Sequence, residues 1–188
     1  MKTGFRLSIY ILLMITAFSG YSQSMQPQTG VSNIFKLNFF LPGVSYEQKI
    51  TQHQTLHTSA FLDFNVQTTG VNGENQTDIL WAPSLNVGFR TYYNMEKRAE
   101  KNCNTARNSA NYVAPMYIGR YALTDPNEDR RWINQVGLVW GIQRNAPKGF
   151  SLDLSLGLSY IFNMQHSSYY APIELIAQIS FGYWIGRK

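Results

Sequence analysis

The feature that most restricts this chain is an alternation of period two in which one face is much bulkier than the other. Between Phe150 and Phe162, one face carries Phe150, Leu152, Leu154, Leu156, Leu158, Tyr160 and Phe162. The other carries Ser151, Asp153, Ser155, Gly157, Ser159 and Ile161. Successive side chains of a β-strand point to opposite sides, so this segment reads as a strand with one apolar and one polar face. Ile173–Ile185 repeats the rule, with Ile173, Leu175, Ala177, Ile179, Phe181, Tyr183 and Ile185 on one side. Leu56–Gln67 and Ile79–Tyr93 obey it too, and Asn111–Tyr121 and Trp132–Gln143 do so more weakly. Upstream, Val31–Ile50 is too long for one strand, and Leu41-Pro42-Gly43 in its middle has turn chemistry. It therefore divides into Val31–Leu41 and Val44–Ile50. Eight strands follow, and with them an all-β fold: an eight-stranded antiparallel up-and-down β-barrel.

Volume decides which face points inward. An eight-stranded barrel has an interior only just wide enough for side chains to fill it. The Leu, Ile, Phe, Tyr and Trp of the bulky faces would overfill that space, whereas the Ser, Gly, Asn and Gln of the opposite faces fit. The apolar face must then point outward, which is tolerable only in lipid, so the expected fold is a transmembrane barrel. Trp81, Tyr93, Tyr112, Trp132, Phe150, Tyr160, Phe162, Tyr169, Tyr170 and Tyr183 fall near predicted strand ends, where an aromatic girdle belongs. A soluble barrel also alternates, and aromatics are ordinary strand formers, so the bulk of the apolar faces distinguishes the two.

The start of the chain supplies a route to such a membrane. Lys2 and Arg6 precede an apolar run from Leu7 to Phe18, and Gly20-Tyr21-Ser22 offers small residues at a cleavage site. The run is about 12 residues, short of the roughly 20 a transmembrane helix needs. Residues 1–22 are accordingly expected to be a cleaved signal peptide and 23–188 the outer-membrane barrel domain. Losing Lys2 and Arg6 takes the formal net charge from +5 to about +3, too mild to point to nucleic acid. The single cysteine, Cys103, excludes an internal disulfide framework. His53, His57 and His166 do not fall at metal-ligand spacing, and no cofactor is expected. With both termini periplasmic, the outward loops are Leu41–Gly43, Thr68–Asp78, Thr124–Arg131 and Asn163–Ala171. The periplasmic turns are Thr51–Gln54, Asn94–Ser109 and Asn145–Gly149.

Three groups of residues are candidates for chemistry. Lys36, Glu47, Lys49, Asp63, Arg90, Asp153 and Glu174 fall on the polar, inward faces and nearly cancel in charge. A confined lumen penalises unpaired charge, so they are read as a plug of ion pairs, with a gated ion path as the alternative. Glu47 is expected to pair with Lys36 and Arg90. The second group is His166 and Ser168 at the outer rim, and the third is the charge run Glu96, Lys97, Arg98, Glu100, Lys101 and Arg107 in the long Asn94–Ser109 turn. That run reads as a solvated loop, or more sharply as a contact for a periplasmic partner at Glu96–Arg107.

In these patterns the chain resembles the small eight-stranded outer-membrane barrels of the OmpA/OmpX type. It is more closely similar to uncharacterised outer-membrane barrel families, through Lys36-Leu37-Asn38, Ser45-Tyr46-Glu47-Gln48-Lys49 and Tyr92-Tyr93-Asn94-Met95-Glu96-Lys97-Arg98 followed by Asn108-Ser109-Ala110-Asn111-Tyr112. The resemblance implies outer-membrane lipid and lipopolysaccharide as surroundings and the barrel-assembly machinery, which reads a final aromatic strand, as a partner. It implies no activity. His166-x-Ser168 is also similar to outer-membrane lipid A deacylases, in which Ser attacks an ester and His is the base. That family has Asn and Ala after the Ser and a Glu about a dozen residues on. Here Tyr169-Tyr170 follow, and Glu174 is too near and on the other face. The expected role is structural or interactive, with a plugged lumen and no enzyme activity. A lipid hydrolase and a surface adhesin or receptor are the alternatives.

Overall fold

The computed structural model describes residues 28–71, 74–122, 131–162 and 173–185. Eight antiparallel strands run up and down in chain order: β1 (Ile34–Asn38), β2 (Gly43–Lys49), β3 (Gln54–Val71), β4 (Glu74–Tyr92), β5 (Asn111–Ala122), β6 (Arg131–Asn145), β7 (Phe150–Phe162) and β8 (Ile173–Ile185). Each pairs with its neighbours, and β1 closes the ring on β8 through Phe35 opposite Ile185 and Asn38 opposite Gly182. Between β4 and β5 lie a short helix, α1 (Met95–Glu100), and a single 3₁₀ turn at Ala106–Asn108.

The polarity of this ring is inverted relative to a water-soluble core. Leu138, Leu156, Leu158, Tyr160, Leu175 and Ile179 point outward and are exposed, whereas Lys36, Glu47, Thr55, Ser59, Asn86 and Gln143 point inward and are buried. The register follows the alternation of the sequence on β7 and β8 throughout. Glycine at two positions is required by close approach. Gly141 on β6 lies flat against the Tyr112 ring, where any Cβ would collide with it. Gly149, at φ 101°, makes the β6–β7 turn against Tyr183.

Several expected boundaries move. β1 covers only Ile34–Asn38 of Val31–Leu41, because the preceding residues leave the ring. There Val31 N–H donates to Gln52 C=O at 2.8 Å and Ser32 N–H to Asn108 Oδ1 at 2.7 Å. Of the outward loop expected at Thr68–Asp78, residues 68–71 and 74–78 are instead strand, since β3 and β4 stay paired as far as Val71 and Glu74, and 72–73 lie outside the described residues. Polar composition suggested a loop, but the ladder between two long neighbours continues through it. Tyr112, placed in the aromatic girdle, is buried inside; it shares the inward parity of Ala114 and Ile118. Trp81, Tyr93, Trp132, Phe150, Tyr160 and Tyr183 are exposed on the outside, and Tyr169 and Tyr170 lie outside the described residues.

The long Asn94–Ser109 connection does not stay in solvent. Lys97, Glu100 and Lys101 are exposed, but Met95, Thr105, Ala106, Asn108 and Ser109 are buried across one end of the ring. Arg98 ties the connection to itself, donating to Ser109 C=O and Asn104 C=O. Asn104 Nδ2 donates to Asn145 C=O, and Asn145 Nδ2 to Arg107 C=O. Gln28 N–H donates to Thr105 Oγ1, so residues 28–33 strap the same end. Together these segments form a cap.

Candidate functional site

Under the cap, four ionised side chains from four strands meet in the lumen. The Lys36 ammonium lies 3.0 Å from Glu47 Oε1 and 3.5 Å from Asp153 Oδ2. Arg90 Nη1 lies 3.2 Å from Glu47 Oε1 and 2.7 Å from Asp153 Oδ2. Two positive and two negative charges therefore cancel where all four are at least nine-tenths buried. Strand register explains the meeting: Glu47 pairs across from Ile34 and His57, Arg90 is opposite Thr55, and Gln143 is opposite Asp153. All of these point into the same narrow section of the ring.

Neutral groups complete the cluster. Glu47 Oε2 accepts from Tyr92 Oη and Asn108 Nδ2, both at 2.8 Å. With Lys36 and Arg90 on Oε1, that makes four donors, which fills the roughly four lone-pair sites of a carboxylate. Asp153 Oδ1 accepts from Tyr112 Oη at 2.7 Å. Gln143 Oε1 accepts from both Lys36, at 2.9 Å, and Arg90, at 2.7 Å. The Arg90 guanidinium also stacks 4.2 Å over the Tyr112 ring. Burying charges is costly unless they are paired and hydrogen-bonded, and here each has both kinds of contact. A carboxylate with every lone pair engaged is a poor base, so the cluster's chemistry is that of a lock.

Asn108 is the cap's contribution to that lock. Its backbone is left-handed at φ 62°, following Arg107 at φ 53°. Asn tolerates this region, whereas Arg visits it at a cost. The bend puts the Asn108 amide on Glu47 and Ser32 and lays the Arg107 guanidinium 3.5 Å over the Trp184 ring. Desolvation there pushes the Arg107 pKa below its ordinary value. Sequence reasoning missed Tyr92, Tyr112, Gln143 and Asn108. Inward parity was the available signal for Tyr92, Tyr112 and Gln143, and for Asn108 only its place in the stretch that carries the family resemblance.

The other expected lumen charges lie elsewhere. Lys49 is exposed at the end of β2, past the point where the ring can bury it. Asp63 pairs with Arg120 at 2.9 Å, and Glu174 accepts from Gln135 Nε2 at 3.1 Å, both in the half of the ring away from the cap. Between the two polar levels is a cavity of about 50 Å³, lined by His57, Ser59, Asn86, Ser155 and Ser180. In the third group, Glu96 stands 3.3 Å from His53, with the Glu96 side chain exposed and His53 half-buried. His166 and Ser168 lie outside the described residues. Among the described residues, no three His, Cys, Asp or Glu side chains gather to hold a metal. No protein-family model, curated protein or solved structure matches the chain.

Proposed function

We propose that the chain is an outer-membrane β-barrel protein with a plugged lumen, structural or interactive in role and neither an open porin nor an enzyme. The supporting observation is the inverted polarity. Large apolar side chains such as Leu138, Leu158 and Leu175 stand 58–69% exposed around the outside, while Lys36 and Glu47 inside are 2% exposed or less. Exposed apolar surface on this scale needs a covering, and a bilayer covers all sides of a ring at once. The Lys36–Glu47–Arg90–Asp153 cluster and the cap supply the plug. Outer-membrane lipid and lipopolysaccharide are the surroundings this reading requires, the assembly machinery acts during insertion, and the exposed Glu96–Lys101 face of the cap is where a periplasmic partner would dock.

The test is fractionation of cells expressing the full chain, followed by electrophoresis with and without boiling. The protein is expected with the outer membrane and should migrate differently when unboiled, because a closed ring keeps its backbone paired in detergent. Recovery as a stable soluble monomer would reject the reading.

A further inference from the structure

The wall of the ring is uneven in height. β1 and β2 stop at the turn 39–42, where Phe39 N–H donates to Phe181 C=O and Leu62 N–H to Pro42 C=O. β3 runs on to Val71, and β8 begins at Ile173. The pairing of β8 with β7 reaches Ile173, but its pairing with β1 extends only from Gly182 to Ile185. Among the described residues, no strand stands between the upper parts of β8 and β3. Two missing strands at ordinary spacing correspond to a notch of about 14 Å. Phe181 turns its carbonyl to this edge, and residues of the same parity, Leu175, Ala177 and Ile179, present their backbone groups on the same side.

A cavity of about 270 Å³ occupies the notch. Its lining includes Leu175 and Ile179 from the outward face of β8 and Glu174 and Ile176 from the inward face, so it passes across the strand edge from outside to lumen. The mouth is apolar: Phe40, Leu175 and Ile179 are 54–69% exposed and continue the outer belt. The deep end is polar, with Arg120, Asp63, Gln135 and Glu174 beside Ile118. An apolar mouth and a polar floor match a molecule with a hydrocarbon chain and a polar head. The floor carries one cation and two carboxylates, and Arg120 is already engaged by Asp63. Glu174 receives one side-chain donor, Gln135, and a carboxylate can accept more.

We propose that this notch binds a single-chain amphiphile that enters sideways from the surrounding lipid, its chain crossing the β8 edge and its donor head, an ammonium or hydroxyl, meeting Glu174. The proposal rests on the lipid-facing reading of the outer surface. The volume equals about nine water-sized groups, enough for the head and the first part of a chain. An extended peptide could pair with the same edge, but it would not use a cavity that deepens into polar side chains.

The full chain in non-ionic micelles is to be photolabelled with diazirine-bearing dodecylamine or dodecanoic acid and the adducts mapped by mass spectrometry. Amine adducts are expected on inward Ile118 and Ile176, about five-fold above those of the acid, the scale of one screened charge contact. Glu174→Gln should abolish the difference; should that variant not fold, the amine-to-acid ratio in the unaltered chain still decides. Adducts confined to outer Leu138 and Leu158 would overturn the notch while leaving the lipid-facing reading intact. No adducts even there would reject that reading as well. Equal labelling by the acid would overturn the head-group assignment.

Discussion

Four donors converge on the Glu47 carboxylate, and the effect of removing any one depends on what is left behind. Glu47→Gln strands Lys36 and Arg90 with only Asp153 between them, and should destabilise by about 3–5 kcal/mol. Lys36→Met alone should cost a similar amount, and the pair together much less than the sum. Reversible urea unfolding of the two single variants and the double variant measures this coupling, and strict additivity would mean that Glu47 is solvated. Asn108 gives a finer test, because its left-handed backbone is separable from its amide. Asn108→Gly loses the donor but suits φ 62°, whereas Asn108→Ala loses both, so the same unfolding measurement should find Ala the more destabilising. The Glu47–Lys36–Arg90 association was legible in the sequence because polar-face charges of opposite sign on β1, β2 and β4 have few places to go inside a ring this narrow. Asn108 was not, because nothing local to the Asn94–Ser109 segment says that it folds back into the lumen.

Among the elements, β7 offers the most direct check of which face is which. Leu156 is 53% exposed, near the middle of the strand, and its neighbour Ser155 lines the small inner cavity. Leu156→Arg should destabilise the protein in lipid by roughly 2–4 kcal/mol, while Ser155→Asn should be mild. Folding titrations into vesicles compare them, and equal effects would reverse the register. The cap makes a second prediction: Trp184→Ala removes the ring on which Arg107 lies, so amide exchange at 102–109 should quicken while β7 and β8 stay protected. Strand number and parity were legible because alternation is a local signal repeated many times. The extents of β1, β3 and β4 were not, since a strand ends where its neighbour ends. The short β1–β2 hairpin and the long β3–β4 hairpin are properties of pairs.

The whole molecule is organised by one inversion: bulky apolar side chains outside, charge and hydroxyls within. The ring closes, one end is strapped and capped, and at the other β3 and β8 extend beyond the short β1–β2 hairpin. Two tryptophans near the capped end sample the two sides of the wall. Trp140 is 45% exposed on the outer face, with its Nε1 donating to Tyr93 Oη, whereas Trp184 is 7% exposed and turned inward under Arg107. Variants that keep either one, with the other tryptophans changed to Phe, can be folded into vesicles containing phospholipid brominated along its acyl chains. Strong quenching of Trp140 and weak quenching of Trp184 is the predicted result. An unquenched Trp140, in a chain that remains folded and dispersed when the lipid is left out, would contradict a lipid-facing outer surface.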